Sequence, residues 1–290
     1  MIRLTNSYWK RLPLTRIKLM IATLIYTILS LFLNRSASHT VRQHIRYDLD
    51  LREGIDLHVF IFGHFQQHIV KSSLIDIPEN ALILDIGANI GTMSLMFAKH
   101  YDKCNIIAVE PSDITYKKLL RNLSLNPDIS KRIQPIQTFV SEKSGQTAPD
   151  AIYSSWAIGT KPKFRHRLHG GIKQPSSVGA TISIDDLCQS HGIEQVNLIK
   201  IDTDGLEYKV LQGSENTIKT FRPGIIFEIG MYIMDDYHVS FHHYHTFFKR
   251  HRYTLHCLKS HEIIDSNTYT SIIPENYTID IIALPENHLS

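Results

Sequence analysis

The segment that most constrains this chain runs from residue 81 to residue 100. Residues 81–86 read ALILDI, and a turn, Gly87-Ala88-Asn89-Ile90-Gly91-Thr92, leads into a helix-period stretch over 92–100. An apolar run of that length without alternation predicts a strand covered on both faces, as in a parallel sheet. Gly87 permits a tight turn at the strand end. Gly91 lets helix and strand pack closely, so that backbone can approach a ligand at the helix N-terminus. The same rhythm recurs, with strands predicted at 105–110, 133–140, 196–202 and 224–229 and helices at 112–126, 207–221 and 241–251. Ser112 serves as an N-cap and Asn126-Pro127 as a stop. The predicted fold class is therefore α/β, doubly wound, with its ligand crevice at the carboxyl ends of the strands.

Composition sets outer limits. With 43% hydrophobic and 20% charged residues over 290 positions the chain is globular, and three scattered cysteines (Cys104, Cys188, Cys257) give neither a disulfide framework nor a CxxC metal pair. Charge is uneven: eight of the 31 Lys and Arg fall in residues 1–47, which hold no acid, leaving 23 bases against 28 acids beyond. Residues 19–33 carry no charge and follow Arg3, Lys10, Arg11, Arg16 and Lys18. That run is short for a spanning helix. It also fits a signal peptide, with Ser36, Ala37 and Ser38 after it. Thr23, Thr27, Ser30 and Asn34 would form one weakly polar stripe on a helix, which favours an interfacial or protein-packed segment. The expected organisation is a basic, apolar helical extension over residues 1–40 and one domain over 41–290. A membrane surface is the expected partner of residues 17–34.

Chemistry concentrates at the strand ends. Nineteen residues past Gly91, Glu110 closes the next predicted strand, where a carboxylate can accept both hydroxyls of a ribose. The loop spells GxxxG, not the GxGxxG that crowds a pyrophosphate, so a ribose ligand without one, S-adenosylmethionine, fits better than NAD. Asp85 would then receive the cationic amino group of the methionine moiety, and Ala88, Asn89 and Pro111 would complete the cofactor wall. The second constellation is NLIKIDTDGLEYKVLQGS, which puts Asp202, Asp204 and Glu207 within six residues at a ligand-bearing edge; FEIG brings Glu228 to the same edge. Carboxylates so crowded need a cation, a proton or a substrate hydroxyl. Asp204 and Glu207 are equally read as helix caps.

These residues carry a resemblance. DIGANIGTMSLMFA, AVEPSDITYKKLLRNLSLN, TISIDDL, IKIDTDGLEYKVLQGS and IIFEIG, in this order and spacing, are similar to the FkbM family of S-adenosylmethionine-dependent methyltransferases over roughly residues 50 to 260. The resemblance implies a Rossmann-like class I methyltransferase sheet of about seven strands, the last antiparallel and supplied by residues 278–284. It also implies O-methylation of hydroxyls on sugars, glycans or other small molecules. The chain departs from the family's usual IKIDVEG at Thr203 and Asp204, and has Phe65-Gln66 where a Phe-Glu pair is expected.

Within that reading Asp202 is the first candidate for base or acceptor positioner, Glu228 the second, with Asp204 beside them; a divalent metal held by Asp202, Asp204 and Glu228 is the alternative. The excursion over 161–173, with five bases, reads first as a solvated loop and second as a clamp for an anionic acceptor. An acidic body disfavours nucleic acid. His238, His242 and His245 would share a helical face, read as structural rather than metal-binding. The competing functions are a nicotinamide-dependent oxidoreductase and a non-catalytic cofactor-binding module. Because the cofactor is made in the cytosol, the expected location is cytoplasmic, with the first helix lying on the membrane.

Overall fold

The computed structural model describes residues 23–28, 31, 36–154, 172–275 and 277–286. The basic residues before position 19, Ser30, Asn34 and most of the 161–173 excursion lie outside the described residues. After a helical segment over 23–28 come strands β1 (Ser36–Arg42) and β2 (Ile45–Asp50), an antiparallel hairpin, and helix α1 (Gly54–Phe62). Then β3 (Leu82–Ile86), helix α2 (Thr92–His100), β4 (Asn105–Val109), helix α3 (Asp113–Ser124) and β5 (Ile133–Ile136) alternate as expected. Short strands β6 (Phe139–Val140) and β9 (Thr181–Ile182) pair with each other, as do β7 (Ala151–Ser154) and β8 (Ile172–Pro175). Helix α4 (Ile184–Ser190), β10 (Leu198–Ile201), helices α5 (Glu207–Gln212) and α6 (Glu215–Phe221), and β11 (Gly224–Ile229) follow. Helices α7 (Met231–Asp236) and α8 (Phe241–Arg250), β12 (Tyr253–Cys257) and β13 (Ile279–Pro285) complete the order.

Seven strands form the central sheet in the order β12-β13-β11-β10-β3-β4-β5. Strands β5, β4, β3, β10 and β11 run parallel, and β13 is antiparallel to both its neighbours. The strand order turns back between β3 and β10, which makes their carboxyl ends the switch-point crevice. Apolar clusters cover both faces, one built on Leu84, Ile199 and Phe227, the other on Ile83, Phe97 and Ile282. This burial explains the unbroken Ile and Leu of β3 and β10.

The antiparallel strand expected at 278–284 is β13. Three expectations change. The predicted helix over 207–221 divides at Gly213 and Ser214, whose backbone leaves the helical region (ψ 8° and 12°), and a Cβ at Gly213 would lie 2.3 Å from the Ser141 carbonyl oxygen, which is why glycine stands there. The strand predicted over 133–140 divides, its first half pairing with β4 and its second with β9. His238 precedes α8 and has a left-handed backbone, so it does not share a helical face with His242 and His245.

The hairpin was not anticipated, and its anchorage explains why. Asn122 of α3 accepts from Asp48 N (2.8 Å), and Asn126 accepts from Arg46 N (2.9 Å) while donating to Arg46 O (2.7 Å). Side-chain amides one helical turn apart thus take the place of a neighbouring strand along β2. Asp56 is buried and pairs with Lys118 Nζ at 2.5 Å, and burial pushes its carboxyl up to about 6. Residues 23–28 are helical, with Tyr26 packed against Leu51 and Leu57. Among the described residues no helix is long and apolar enough to cross a membrane. The three cysteines are free and buried.

Candidate active site

A cavity of about 780 Å³ opens at the switch point, within the range of small-molecule sites. Its wall includes Gly87, Ala88, Asn89, Glu110, Pro111, Asp202, Asp204 and Glu228, so eight of the ten residues singled out from sequence meet in one space. The other two, Asp85 and Gly91, stand behind it.

The glycine loop is shaped by its neighbours. Gly87 has φ +81°, and a Cβ there would sit 1.9 Å from the Asp202 carbonyl oxygen, so the loop lies directly on the end of β10. At Gly91, φ is +84° and a Cβ would meet the Leu119 side chain at 2.5 Å; the close approach is to α3, not to the strand as expected. Asn89 also has positive φ, which its short polar side chain tolerates, and its amide oxygen accepts from Ile90 N at 2.8 Å. Glu110 ties this loop to the end of β4. One of its oxygens accepts from Asn89 N at 3.0 Å and the other from Ser112 N at 2.9 Å. Burial pushes the Glu110 carboxyl up to about 7, with Asp85 and Asp202 adding to the rise and the two backbone N–H groups opposing it. Thr92, the first residue of α2, presents a buried Oγ1 without a hydrogen-bond partner in the same wall.

Asp85 is 0% exposed and accepts from Ser94 Oγ at 2.5 Å. It therefore does not face the cavity as the amino-group acceptor expected from sequence. Its second oxygen lies 3.3 Å from Lys200 Nζ. Lys200, only 3% exposed, is the residue that sequence reasoning passed over, and its ammonium also lies 3.3 Å from Asp202 Oδ2. The signal is the register: Lys200 of β10 sits directly beside Asp85 of β3, and Asp202 is two residues further along the same pleat. A lysine inside an otherwise apolar strand demands such partners. Burial disfavours its charge, but Asp202 and Asp85 outweigh that and hold the ammonium firmly protonated.

The loop after β10 is clasped by Glu207, which is buried and accepts at Oε1 from Thr203 N (2.9 Å), Thr203 Oγ1 (3.2 Å) and Gly205 N (3.1 Å). Glu207 thus fixes the turn that carries Asp202 and Asp204. Gly205 packs against the Tyr237 ring, which a Cβ would approach to 2.1 Å. Burial, with Asp202 and Glu207 nearby, pushes the Asp204 carboxyl well above its usual range. Glu228 is pushed the same way by burial and by Asp202 and Asp280, and it accepts from Thr278 Oγ1. Asp280 is its cross-strand partner on β13 and bonds His68 Nε2 at 2.6 Å. Gln66, at the Phe65-Gln66 departure, points its amide nitrogen to Asp202 Oδ2 at 3.5 Å and lines the cavity without adding a charge.

The metal alternative finds no support in this geometry. Among the described residues no three His, Cys, Asp or Glu side chains are grouped to hold an ion. Asp202 is engaged by Lys200 and Gln66, and Glu228 by Thr278.

Known proteins show the following similarities to this chain. The methyltransferase FkbM domain model matches residues 85–255. Methyltransferase sdnD of Sordaria araneosa is 28% identical over 162 residues, covering 48% of this chain and 62% of that one. Hexuronic acid methyltransferase AglP of Haloferax volcanii is 26% identical over 155 residues (53% and 59%), and 2-O-methyltransferase NoeI of Sinorhizobium fredii 23% over 159 residues (52% and 63%). The matches thus span less than two thirds of these relatives. The crystal structure of methyltransferase FkbM from Methylobacillus flagellatus aligns with a TM-score of 0.47 at 17% identity, over 73% of this chain and 46% of that one.

Proposed function

The chain belongs to the FkbM methyltransferase family, and from that premise we propose that it transfers a methyl group from S-adenosylmethionine to a hydroxyl oxygen of a sugar, glycan or other small molecule. The observation that carries the proposal is the meeting of Glu110, the glycine loop and Asp202 in one switch-point cavity. Family membership sets aside the oxidoreductase reading.

The wall suits the cofactor. Each Glu110 oxygen accepts one backbone N–H and keeps acceptor capacity for a ribose hydroxyl. The orphan Thr92 hydroxyl, at the start of α2, matches a polar or anionic group of the amino-acid moiety. Asp85 acts through Lys200, not by touching the ligand. Bound there, S-adenosylmethionine supplies an electrophilic methyl group on a sulfonium. The protein's part is to align the acceptor oxygen and remove its proton. Asp202 is the proposed proton acceptor or positioner, because burial, reinforced by neighbouring carboxylates, raises Asp204 and Glu228 and holds those two toward their neutral, hydrogen-bond-donating forms. Glu228 is the second candidate and Asp204 the third.

Lys200 is the one Lys or Arg in the cavity wall among the described residues, so the acceptor end favours a neutral hydroxyl over an anionic group. The same reading places the domain in the cytoplasm, where the cofactor is made, with residues 17–34 against a membrane surface.

Asp202→Asn tests the assignment. With an acceptor found by comparing metabolites of cells with and without the gene for a one-methylene gain, turnover should fall by ~10² or more while S-adenosylhomocysteine affinity, read by calorimetry, stays within a few fold. Intact turnover would pass the role to Glu228, and a folded protein that ignores both cofactor forms would remove the reading altogether.

A further inference from the structure

The cavity has two unlike ends. Around Asp202 and Glu228 it is lined by carboxyls. Beyond them its wall is hydrocarbon and aromatic, formed by Ile25, Ile55, Ile61, Phe62, Ile233 and Tyr277. The apolar end also continues outward. Ile61 and Phe62 line the cavity and are nevertheless 38% and 59% exposed, so they form its rim. In the helical segment over 23–28, Ile25 faces the cavity while Leu24 and Ile28 are 61% and 51% exposed beside it. Of the ten exposed large hydrophobic side chains among the described residues, Leu24, Ile28, Ile61 and Phe62 belong to this region, and Tyr277 of the cavity wall is a fifth.

A free sugar gains little from such a wall, because most of its hydroxyls would lose water against side chains that, Tyr277 apart, offer no hydrogen bonds. Apolar surface leading from a carboxyl-lined end to an exposed rim matches a ligand that is polar at one end and hydrocarbon at the other. We infer that the acceptor is an amphiphile, a hydroxyl-bearing head at Asp202 with an apolar chain leaving along α1 past Ile61 and Phe62. This rests on the methyltransferase reading for what happens to the head, and on the cavity wall alone for the chain. Two sources share this chemistry: a lipid held in a bilayer, and a soluble molecule with an alkyl chain. The basic residues that precede the apolar N-terminal run would suit an anionic bilayer.

The test titrates the full-length protein, with and without S-adenosylhomocysteine, with methyl, hexyl and octyl β-glucoside below their micelle concentrations. Each buried methylene should tighten binding about fourfold, so burying three of them makes octyl glucoside about 60-fold tighter than methyl glucoside. Ile61→Ser and Phe62→Ser should each shrink that ratio several fold. Leu120→Ser, at an exposed apolar side chain outside the cavity wall, should leave it alone and so measures non-specific adsorption. Thermal melts verify that each variant is folded. Equal affinity for the three glucosides, or a ratio that Leu120→Ser lowers as much as the rim variants do, overturns the inference. Chain-length dependence without S-adenosylhomocysteine binding keeps the amphiphile site and removes the methyltransferase reading; the converse removes the amphiphile site only. Flotation with vesicles of equal phosphatidylglycerol and phosphatidylcholine separates the sources, since co-flotation supports a bilayer-borne acceptor and its absence, with the chain-length effect present, supports a soluble one.

Discussion

Replacing Lys200 by methionine keeps the length and most of the volume of the side chain but removes its charge. In the folded protein that charge lies 3.3 Å from carboxylate oxygens of both Asp85 and Asp202. Asp202 is partly exposed and keeps Gln66 and solvent, whereas Asp85 is fully buried and retains only Ser94. The loss is therefore that of breaking a buried ion pair by removing one member, about 3–5 kcal/mol. For a domain of this size that lowers Tm by about 6–20 °C. Because the neighbouring carboxylates raise the lysine above its usual range, its contribution is fully present below the unfolded value of 10.5 and disappears only as pH rises through the folded value. The gap between wild type and variant should thus be flat between about pH 6 and 9 as far as Lys200 itself titrates. Urea unfolding followed by circular dichroism reads the difference in midpoint at constant slope. Asp85→Leu combined with Lys200→Met should recover much of the loss, because an apolar pair of similar volume replaces a buried ion pair at little cost. A single variant within about 1 kcal/mol of wild type, or a double variant that loses the sum of the two singles, would refute the account of Lys200 as the cation that Asp85 requires.

Three further outcomes are expected. Binding of S-adenosylhomocysteine should tighten as pH rises through about 7, because ribose hydroxyls donate to the ionised form of Glu110; Glu110→Gln should weaken binding and flatten that limb, and a pH-independent wild-type Kd would count against the ribose assignment. The same rise, from an ordinary 4.5 to about 7, means that the ligand-free protein loses about 3 kcal/mol of stability between those pH values, a loss Glu110→Gln removes, as thermal melts at pH 5 and pH 8 would reveal. Gly87→Ala should destabilise the fold by about 2–5 kcal/mol, from left-handed strain and from contact with the Asp202 carbonyl; a near-neutral change would mean that the loop moves freely off β10.

The parts of this molecule that could be read from sequence are those in which one strand or helix carries its own signal. Runs such as ALILDI and GIIFEI announce strands by length and composition, and Ser112 accepts from Thr115 N as a helix cap should. Lateral relationships were hidden. Lys200 drew no notice in an apolar strand, and only the β3–β10 register sets it beside Asp85. Asp85 looked free to bind a ligand for the same reason. Glu207 was read as a charge at a helix start, but its carboxylate turns back to hold Thr203 and Gly205, which only the turn geometry reveals. The hairpin is fastened by Asn122 and Asn126, residues whose spacing in sequence suggests nothing more than a helix end.

Strand β13 follows β12 in sequence yet lies inside the sheet, hydrogen-bonded to β11 on one side and to β12 on the other. Until residues 279–285 emerge from the ribosome, β11 has an open edge and β12 has no partner in the sheet. The insertion joins segments far apart in the chain, an arrangement that slows folding and leaves an apolar edge exposed while it lasts. The step that completes the sheet is therefore one at which a nascent chain is open to aggregation. Substitutions in β13 would then reduce the yield of soluble protein in the cell more than their effect on the finished fold alone would suggest.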